Sequence, residues 1–416
     1  MADYFSKHGE FIPQIAIEPN KELGIVVVIP SFNEPNLELS LDALKRCELP
    51  QKHVEVIVVV NYPERSSHDV IENAKQSIDI VNRANSGNSA LVFHSILSSN
   101  LPKKHAGVGL ARKIGMDEAA WRLVKVNHPE GIIACYDADA KCSSNYLIEL
   151  EKLWESKPKT TACSIRFEHP ISGDEFDKKI YHGITLYELH LRYYYQASKY
   201  IKFPFAYHTI GSSMACTAET YIKFGGMNKH QAGEDFYFLQ KIIPHGNFQE
   251  LNSTCIYPSP RPSYRVPFGT GRAMLKYLQN QEETILTYDF NCWLTLIPLF
   301  QNIDNLYRFN NLEIQYWAEQ LHPALSKFLA TSNFIKKINE VKANTSSLDS
   351  FRKRFFFWFD AFALLKYLNF AHEKYFQRKP IEEESILLAN KIGLKLPSKP
   401  NPADILKAYR NKELNP

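Results

Sequence analysis

Between residues 23 and 137, short unbroken apolar runs take turns with segments whose apolar residues recur at helical spacing. The runs are LGIVVVIP, VEVIVVV, SALVFHSIL and GIIACYD, and the segments between them are NLELSLDALKRC, HDVIENAKQSIDIVN and GVGLARKIGMDEAAWRL. A strand with one wet face alternates polar and apolar side chains, whereas a strand covered on both faces has no polar positions to show. The order βαβαβαβ with such strands predicts a Rossmann-like α/β sheet, mostly parallel and helix-covered on both faces, because parallel neighbours need a crossover and a helix supplies it. Ligands of such sheets collect beyond the carboxyl ends of the strands. The fourth run therefore delivers Asp137 and Asp139, the carboxylates of DAD in GIIACYDADAKCS, to the ligand edge.

Helical spacing returns around 174–202, a short mixed region covers 206–256, and YPSPRPSYRVPFGTGRAM at 257–274 concentrates Pro, Arg and Gly. The remainder reads as helices rich in Phe, Tyr, Leu and Lys, clearest in LHPALSKFLATSNFIKKINEV and FRKRFFFWFDAFALLKYLNF. The organisation expected is an N-terminal arm 1–22, an α/β domain 23–256, a connector or active-site loop 257–274 and a helical C-terminal domain 275–416. Residues 395–416, rich in Pro, Lys and Asn, are expected to be loosely ordered.

Charge and cysteine usage exclude several classes. A formal net charge of +4 gives a nucleic-acid partner no bulk electrostatic support, so none is expected. The 7 cysteines contain no CxxC pair, which suits a reducing compartment better than a disulfide framework or a zinc site. The start MADYFSKHGEFIPQ lacks a basic-then-apolar signal pattern, and no stretch reaches the ~18 apolar residues of a membrane span. A cytoplasmic protein is expected. The segment 351–370 admits two readings, a core helix of a helical domain and a peripheral helix at the inner face of the membrane; the aromatic stretch 189–207 shares that ambiguity and adds a third reading, an acceptor-binding wall.

Two aspartates at DxD spacing are a weak signal alone, and a solvated turn explains them equally well. At the tip of a buried strand they suit a hard divalent cation, Mg²⁺ or Mn²⁺, which takes one or two carboxylates and completes its shell with water and substrate phosphates. A phosphoaspartate phosphatase would carry Thr or Val four positions after the first Asp, where this chain has Lys141. Just before that strand, Lys103, Lys104, His105 and Arg112 gather positive charge in KHAGVGLARKIGMDEA, where a pyrophosphate-bearing ligand needs it, although a Gly-containing helix start is the plain alternative. GEDFYFLQKI opens a helix with Glu234 and Asp235, a placement that the helix dipole alone explains unless Asp235 shares a cleft with Asp139. The 14 histidines form no HxH or HExxH pattern; His105, His208 and His245 fall near these segments, as metal ligands, acceptor contacts or structural groups.

Taken together, VVVIPSFNEP, HAGVGLARKIG, YDAD, GSSMACTAETYIKFGGMN and GEDFYF occur in the order and spacing of family 2 glycosyltransferases, which this chain resembles over about residues 23–256. The resemblance implies a GT-A fold and transfer of a sugar from a nucleotide diphosphate donor to a hydroxyl acceptor: a glycan, a lipid-linked molecule or a small molecule. It implies that Pro30, Phe32 and Glu34 hold the nucleotide base and that Asp137 and Asp139 hold the metal and diphosphate. It makes Asp235, with Glu234 beside it, the group that deprotonates the acceptor. The second strand departs from the pattern, ending in Val60 and Asn61 where the family usually places an acidic residue against the base. The QxxRW signature of processive synthases is absent too, so one sugar is expected to be added without membrane helices. Arg261, Arg265 and Arg272 on the connector stand as candidates for neutralising the diphosphate, with Arg265 and Arg272 preferred. An inverting reaction is expected. The alternatives are a retaining transferase on the same fold and a non-catalytic nucleotide-sugar-binding or scaffolding descendant. A nucleotidyltransferase would want a Gly-rich phosphate loop after the first strand, which PSFNEPN does not offer.

Overall fold

The computed structural model describes residues 2–6, 11–85, 90–102, 106–229, 233–265, 269–280 and 283–414. The chain divides into two compact units, one of residues 1–184 and 209–279, the other of residues 185–208 and 280–416.

The first unit is built on an eight-stranded sheet in the order β3-β2-β1-β4-β7-β6-β8-β5. Its strands are β1 Leu23–Ser31, β2 His53–Pro63, β3 Leu91–Leu101, β4 Ile132–Cys135, β5 Lys141–Cys142, β6 Ala162–Phe167, β7 Met214–Thr217 and β8 Phe248–Tyr257. Its helices are α1 Ala2–Ser6, α2 Leu37–Lys45, α3 His68–Ala84, α4 Val108–Lys125, α5 Tyr146–Ser156, α7 Ala218–Lys223, α8 Glu234–Ile242 and α9 Thr270–Gln279; α6, Lys178–Tyr200, contributes its first turns to this unit and the rest to the second.

All nine residues of β1 are buried, and alternation explains why. Ile25, Val27 and Ile29 join Val54, Val56 and Val58 in a core completed by Leu41 of α2, Val81 of α3 and Leu150 of α5. The intervening positions face α4: a Cβ added at Gly115 of that helix would lie 2.5 Å from Cγ1 of Val28 and 2.9 Å from Cγ2 of Val59. Both faces are thus dry, and each Val or Ile removed from water contributes about 1.5–3 kcal/mol. β1 pairs in parallel with β2 and β4, and β2 with β3, as the alternation predicts.

Within this mostly parallel sheet β7 runs antiparallel to both β4 and β6, setting Ala215 against Ala134, and β5 runs antiparallel to β8. The four residues of β7 are all buried, and a run that short carries no periodic mark of its direction. The arm before β1 is strapped along α4. Tyr4 Oη donates to Asp117 (2.7 Å), the Gln14 amide to Glu118 (2.8 Å) and Arg122 Nη1 to the Ile17 carbonyl (2.8 Å).

The second unit is helical: the remainder of α6, then α10 Phe290–Leu294, α11 Ile297–Gln301, α12 Ile303–Arg308, α13 Asn311–Glu319, α14 Pro323–Thr331, α15 Phe334–Ala343, α16 Leu348–Trp358, α17 Ala361–Lys374, α18 Ile381–Lys391 and α19 Pro402–Leu414, with a short pair β9 Leu286–Thr287 and β10 Lys379–Pro380. Side-chain caps start α13 (Asn310), α16 (Ser347) and α17 (Asp360). In the 351–370 stretch Phe351, Phe355, Phe359, Tyr367 and Leu368 are fully buried and fill the core. No helix among the described residues is long and apolar enough to cross a membrane.

The loose order expected of 395–416 is overturned over 402–414. α19 buries Ile405, Leu406 and Tyr409, one face at helical spacing, and Tyr409 Oη donates to the Ser385 carbonyl (2.8 Å). Arg410 reaches buried Glu188 of α6 (2.7 Å), and Glu413 accepts from Arg192. Three apolar anchors and two ion pairs outweigh a polar composition.

Candidate active site

After Cys135 the chain stays beside β1 for one more residue, Tyr136 N donating to the Val28 carbonyl (3.0 Å), and then turns. The turn closes when Ala140 N donates to the Asp137 carbonyl (3.1 Å). Two buried hydroxyls fix it from beneath, Ser40 Oγ of α2 (2.7 Å) and Tyr136 Oη (3.0 Å), both donating to the Ala140 carbonyl. With its backbone held so, the DAD turn presents Asp137 and Asp139 side chains that are 40% and 22% exposed.

Arg112 of α4 lies beneath Asp137. Only 2% exposed, it donates through Nη2 to Asp137 (2.9 Å) and through Nη1 to Glu234 at the start of α8. Asp235 is adjacent: its Oδ1 accepts from the Phe236 amide (2.7 Å), and a Cβ added at Gly211 would lie 3.0 Å from its Oδ2 and 2.8 Å from Arg112 Nη1. A glycine at 211 is what lets the guanidinium and the carboxylate pass so close to the backbone. Asp137 and the Glu234–Asp235 pair, nearly a hundred residues apart in the chain, thus meet around one guanidinium.

The connector closes the other side of the turn. Arg261 bonds both Glu34 and Asp139 (3.1 Å to the latter), while Arg265 bonds Glu34 (2.5 Å), the Phe32 carbonyl (3.1 Å) and, at 3.5 Å, Asp139. Glu34 is 2% exposed and also accepts from the Asn36 amide (2.9 Å). Five carboxylates therefore face three guanidiniums. Three of them, Asp139, Glu234 and Asp235, are raised, with burial the largest cause. Burial, then Glu34 and Asp137, push Asp139 up to about 6 against the pull of Arg265 and Arg261. Burial likewise raises Glu234 and Asp235, with Arg112 opposing in both cases.

An anionic excess of hard oxygen donors fits a divalent cation such as Mg²⁺ or Mn²⁺, with Asp137 and Asp139 the residues that would hold it. Among the described residues no three His, Cys, Asp or Glu enclose an ion, so these carboxylates would supply only part of its shell.

Pro30 is buried in β1 beside Val59, and Asn61, 4% exposed, ends the buried part of β2 at the same sheet edge. Arg272 is exposed on α9, and no ion pair among the described residues ties it to the cluster. Lys103, Lys104 and His105 lie outside the described residues. His208 pairs with Glu413 (3.3 Å) and stacks on Tyr195 (4.3 Å), and His245 packs against Phe224 (4.8 Å). Sequence reasoning missed Ser40 and Tyr136 as supports of the turn, and Ser31 and Ser213, both 1% exposed, whose hydroxyls have no hydrogen-bond partner among the described residues. Nothing in a lone Ser or Tyr marks it; only the fold brings them to this edge.

Residues 26–214 match the family model described as Glycosyl transferase family 2. Over those residues, a little under half of its length, the chain is similar to family 2 glycosyltransferases. Its mostly parallel sheet and the helical region that follows are the expected GT-A architecture. Among solved structures it is similar to S. aureus TarS (14% identity, TM-score 0.39), covering 79% of this chain and 54% of that one. It is similar also to TarS 1–349 in complex with UDP-GlcNAc (12%, 0.40) and with UDP (12%, 0.39), covering 79% of this chain and 90% and 89% of those. The chain thus spans about half the length of full TarS, and a likeness this distant says nothing of what the domain here binds. No curated protein matches the chain.

Proposed function

We propose that the glycosyltransferase domain moves one sugar per turnover from a nucleotide diphosphate donor to a hydroxyl acceptor, with inversion and with Mg²⁺ or Mn²⁺ as cofactor. The observation that carries this reading is Arg112, which holds Asp137 of the DAD turn and the Glu234–Asp235 pair in one cluster.

Asp137 and Asp139 would hold the cation, whose chemistry when bound is to offset charge on the departing diphosphate. Arg261 and Arg265, already at Asp139, add fixed positive charge on that side. Asp235 takes the acceptor proton at Oδ2, since Oδ1 is engaged by the Phe236 amide. An ordinary Asp, at pKa ~3.9, is a feeble base at neutral pH. Burial raises Asp235 and makes it a stronger one. Arg112, bonded to the adjacent Glu234, opposes by its charge the protonation of Glu234 and Asp235 that burial favours.

Replacing Asp235 with Asn is expected to lower turnover by ~10²–10⁴-fold in a protein whose circular dichroism is unchanged. Retention of more than about a tenth of wild-type turnover would end the base assignment. Which nucleotide and cation bind is measured by thermal shift with UDP, GDP, CDP and dTDP, each with and without Mn²⁺, since a bound ligand raises apparent stability by RT ln(1 + [L]/Kd). The anomeric configuration of the first product, read by NMR, tests inversion.

A further inference from the structure

Cys47 and Cys142 bring their sulfurs to 3.6 Å, although 95 residues separate them in the chain. Cys47 follows the last turn of α2 and is 6% exposed; Cys142 lies on β5, the edge strand of the sheet, and is half-buried. Their backbones are already neighbours, for Glu48 N donates to the Ser144 carbonyl (2.7 Å). A disulfide needs sulfurs at about 2.05 Å, so closure asks for roughly 1.5 Å of movement from two side chains on adjoining segments. The other five cysteines are buried.

We propose that Cys47 and Cys142 are an oxidation site that forms a disulfide and thereby displaces the DAD turn. With hydrogen peroxide as oxidant, one thiolate takes an oxygen and becomes a sulfenic acid, releasing water. The second sulfur then displaces a second water to form the S–S bond. Two thiols lose two protons and two electrons, and the peroxide is reduced to two waters. The contact between the two sulfurs lowers Cys47, against burial, and together with burial raises Cys142, so Cys47 supplies the thiolate.

The consequence follows from how the turn is held. α2 grips it twice, through Ser40 on the Ala140 carbonyl and through Cys47 beside Cys142, three residues after Asp139. Drawing β5 toward α2 moves the second grip and leaves the first. A shift of about 1 Å at a group that positions substrate costs up to roughly 10²-fold. The oxidised domain is therefore expected to bind a nucleoside diphosphate with Mn²⁺ about tenfold or more weaker than the reduced one. This second step rests on the proposed transferase site; the cross-link does not.

The test treats the full chain with hydrogen peroxide and counts free thiols, expected to fall from the 7 of the sequence by two, with non-reducing peptide mapping joining Cys47 to Cys142. Dithiothreitol is expected to restore both thiols. Cys47→Ser and Cys142→Ser are each expected to form no cross-link. Binding is measured by calorimetry with whichever of UDP, GDP, CDP or dTDP, with Mn²⁺, most stabilises the reduced protein. Seven thiols surviving, or a link between other cysteines, overturns the site. A mapped link with unchanged affinity overturns its effect on the turn. A reduced protein that binds none of the four diphosphates is a failure of the transferase reading, and the mapped link is judged apart from it.

Discussion

Helix α4 carries two buried arginines, Arg112 and Arg122, ten positions apart on one helix, and they sit in opposite electrostatic situations. Arg122, fully buried, is matched: Nε and Nη2 grip the two oxygens of Glu55 (2.5 and 2.8 Å) and Nη1 takes the Ile17 carbonyl. Burial would raise Glu55, but the hydrogen bonds and charge of Arg122, with His94 3.8 Å away, win and hold it at about 2. The surplus falls on Glu118, 4.0 Å away, which burial raises and the Gln14 amide steadies. Arg112 is outnumbered, facing Asp137, Glu234 and Asp235, and burial raises Glu234 and Asp235 against its pull. A fork satisfied by one carboxylate belongs to the fold's stability. A fork shared among three leaves charge for a ligand to satisfy, which is where perturbed groups mark function.

Exchanging each arginine for Met breaks the comparison most severely. Arg112→Met is expected to cut kcat/KM by about 10²-fold or more, because Asp137 and Glu234, the neighbour of Asp235, lose their common anchor. Arg122→Met is expected to cost about 3–5 kcal/mol in urea unfolding, by stranding Glu55, while kcat/KM per folded molecule stays within about twofold. Equal losses of activity in the two variants would erase the distinction.

Neutral isosteres give effects of opposite sign. Glu55→Gln removes a carboxylate the fold prefers ionised and is expected to destabilise by on the order of 3 kcal/mol at pH 7. Asp139→Asn removes one whose ionised form the fold disfavours, and the unliganded protein is expected to gain roughly 1–3 kcal/mol while its affinity for nucleotide with Mn²⁺ collapses. Denaturant midpoints and calorimetry read both.

pH sharpens the same contrast. Glu55 is held below its unfolded value, so its contribution is present above about 4.5 and lost as pH falls through about 2. Asp139, at about 6 when folded against 3.8 unfolded, does the reverse: its contribution is full below about 3.8 and lost as pH rises through about 6. Nucleotide affinity with Mn²⁺ is therefore expected to fall as pH drops through about 6, with the fold intact by circular dichroism; kcat is expected to fall on the acid side as Asp235, raised by burial, protonates.

The smallest expected effect lies on the sheet side of α4. Gly115→Ala thrusts a methyl group against Val28 and Val59 and is expected to cost about 1–3 kcal/mol, without changing the pH profile of kcat.

The first four strands and the helices between them were legible because each is a long segment with one period, and dry strands announce themselves as unbroken Val and Ile. DAD was legible because the run before it is a strand, so its position in space follows from its position in the chain. β7 was not, since MACT is too short to carry a period. α19 was misread because composition reports average polarity and not the spacing of Ile405, Leu406 and Tyr409. In the connector the sequence reading preferred Arg265 and Arg272; Arg265 joins the cluster, Arg261 joins it in place of Arg272, and Arg272 is exposed on α9 with no ion pair to it among the described residues, because the approach of a loop to a strand tip is not written in its composition.

By itself, then, the sequence determined which segments are strands, which carboxylates stand at strand and helix ends, and the family that order resembles. These are local properties, set by side-chain spacing and β-branching. Only the tertiary structure decided that Arg112 joins Asp137 to Glu234 and Asp235, that Glu34 and Asp139 share two connector arginines, and that Cys47 meets Cys142. Those pairings depend on distances between segments far apart in the chain, and on burial deep enough to make each charge count. Neither quantity is written in any one stretch of residues.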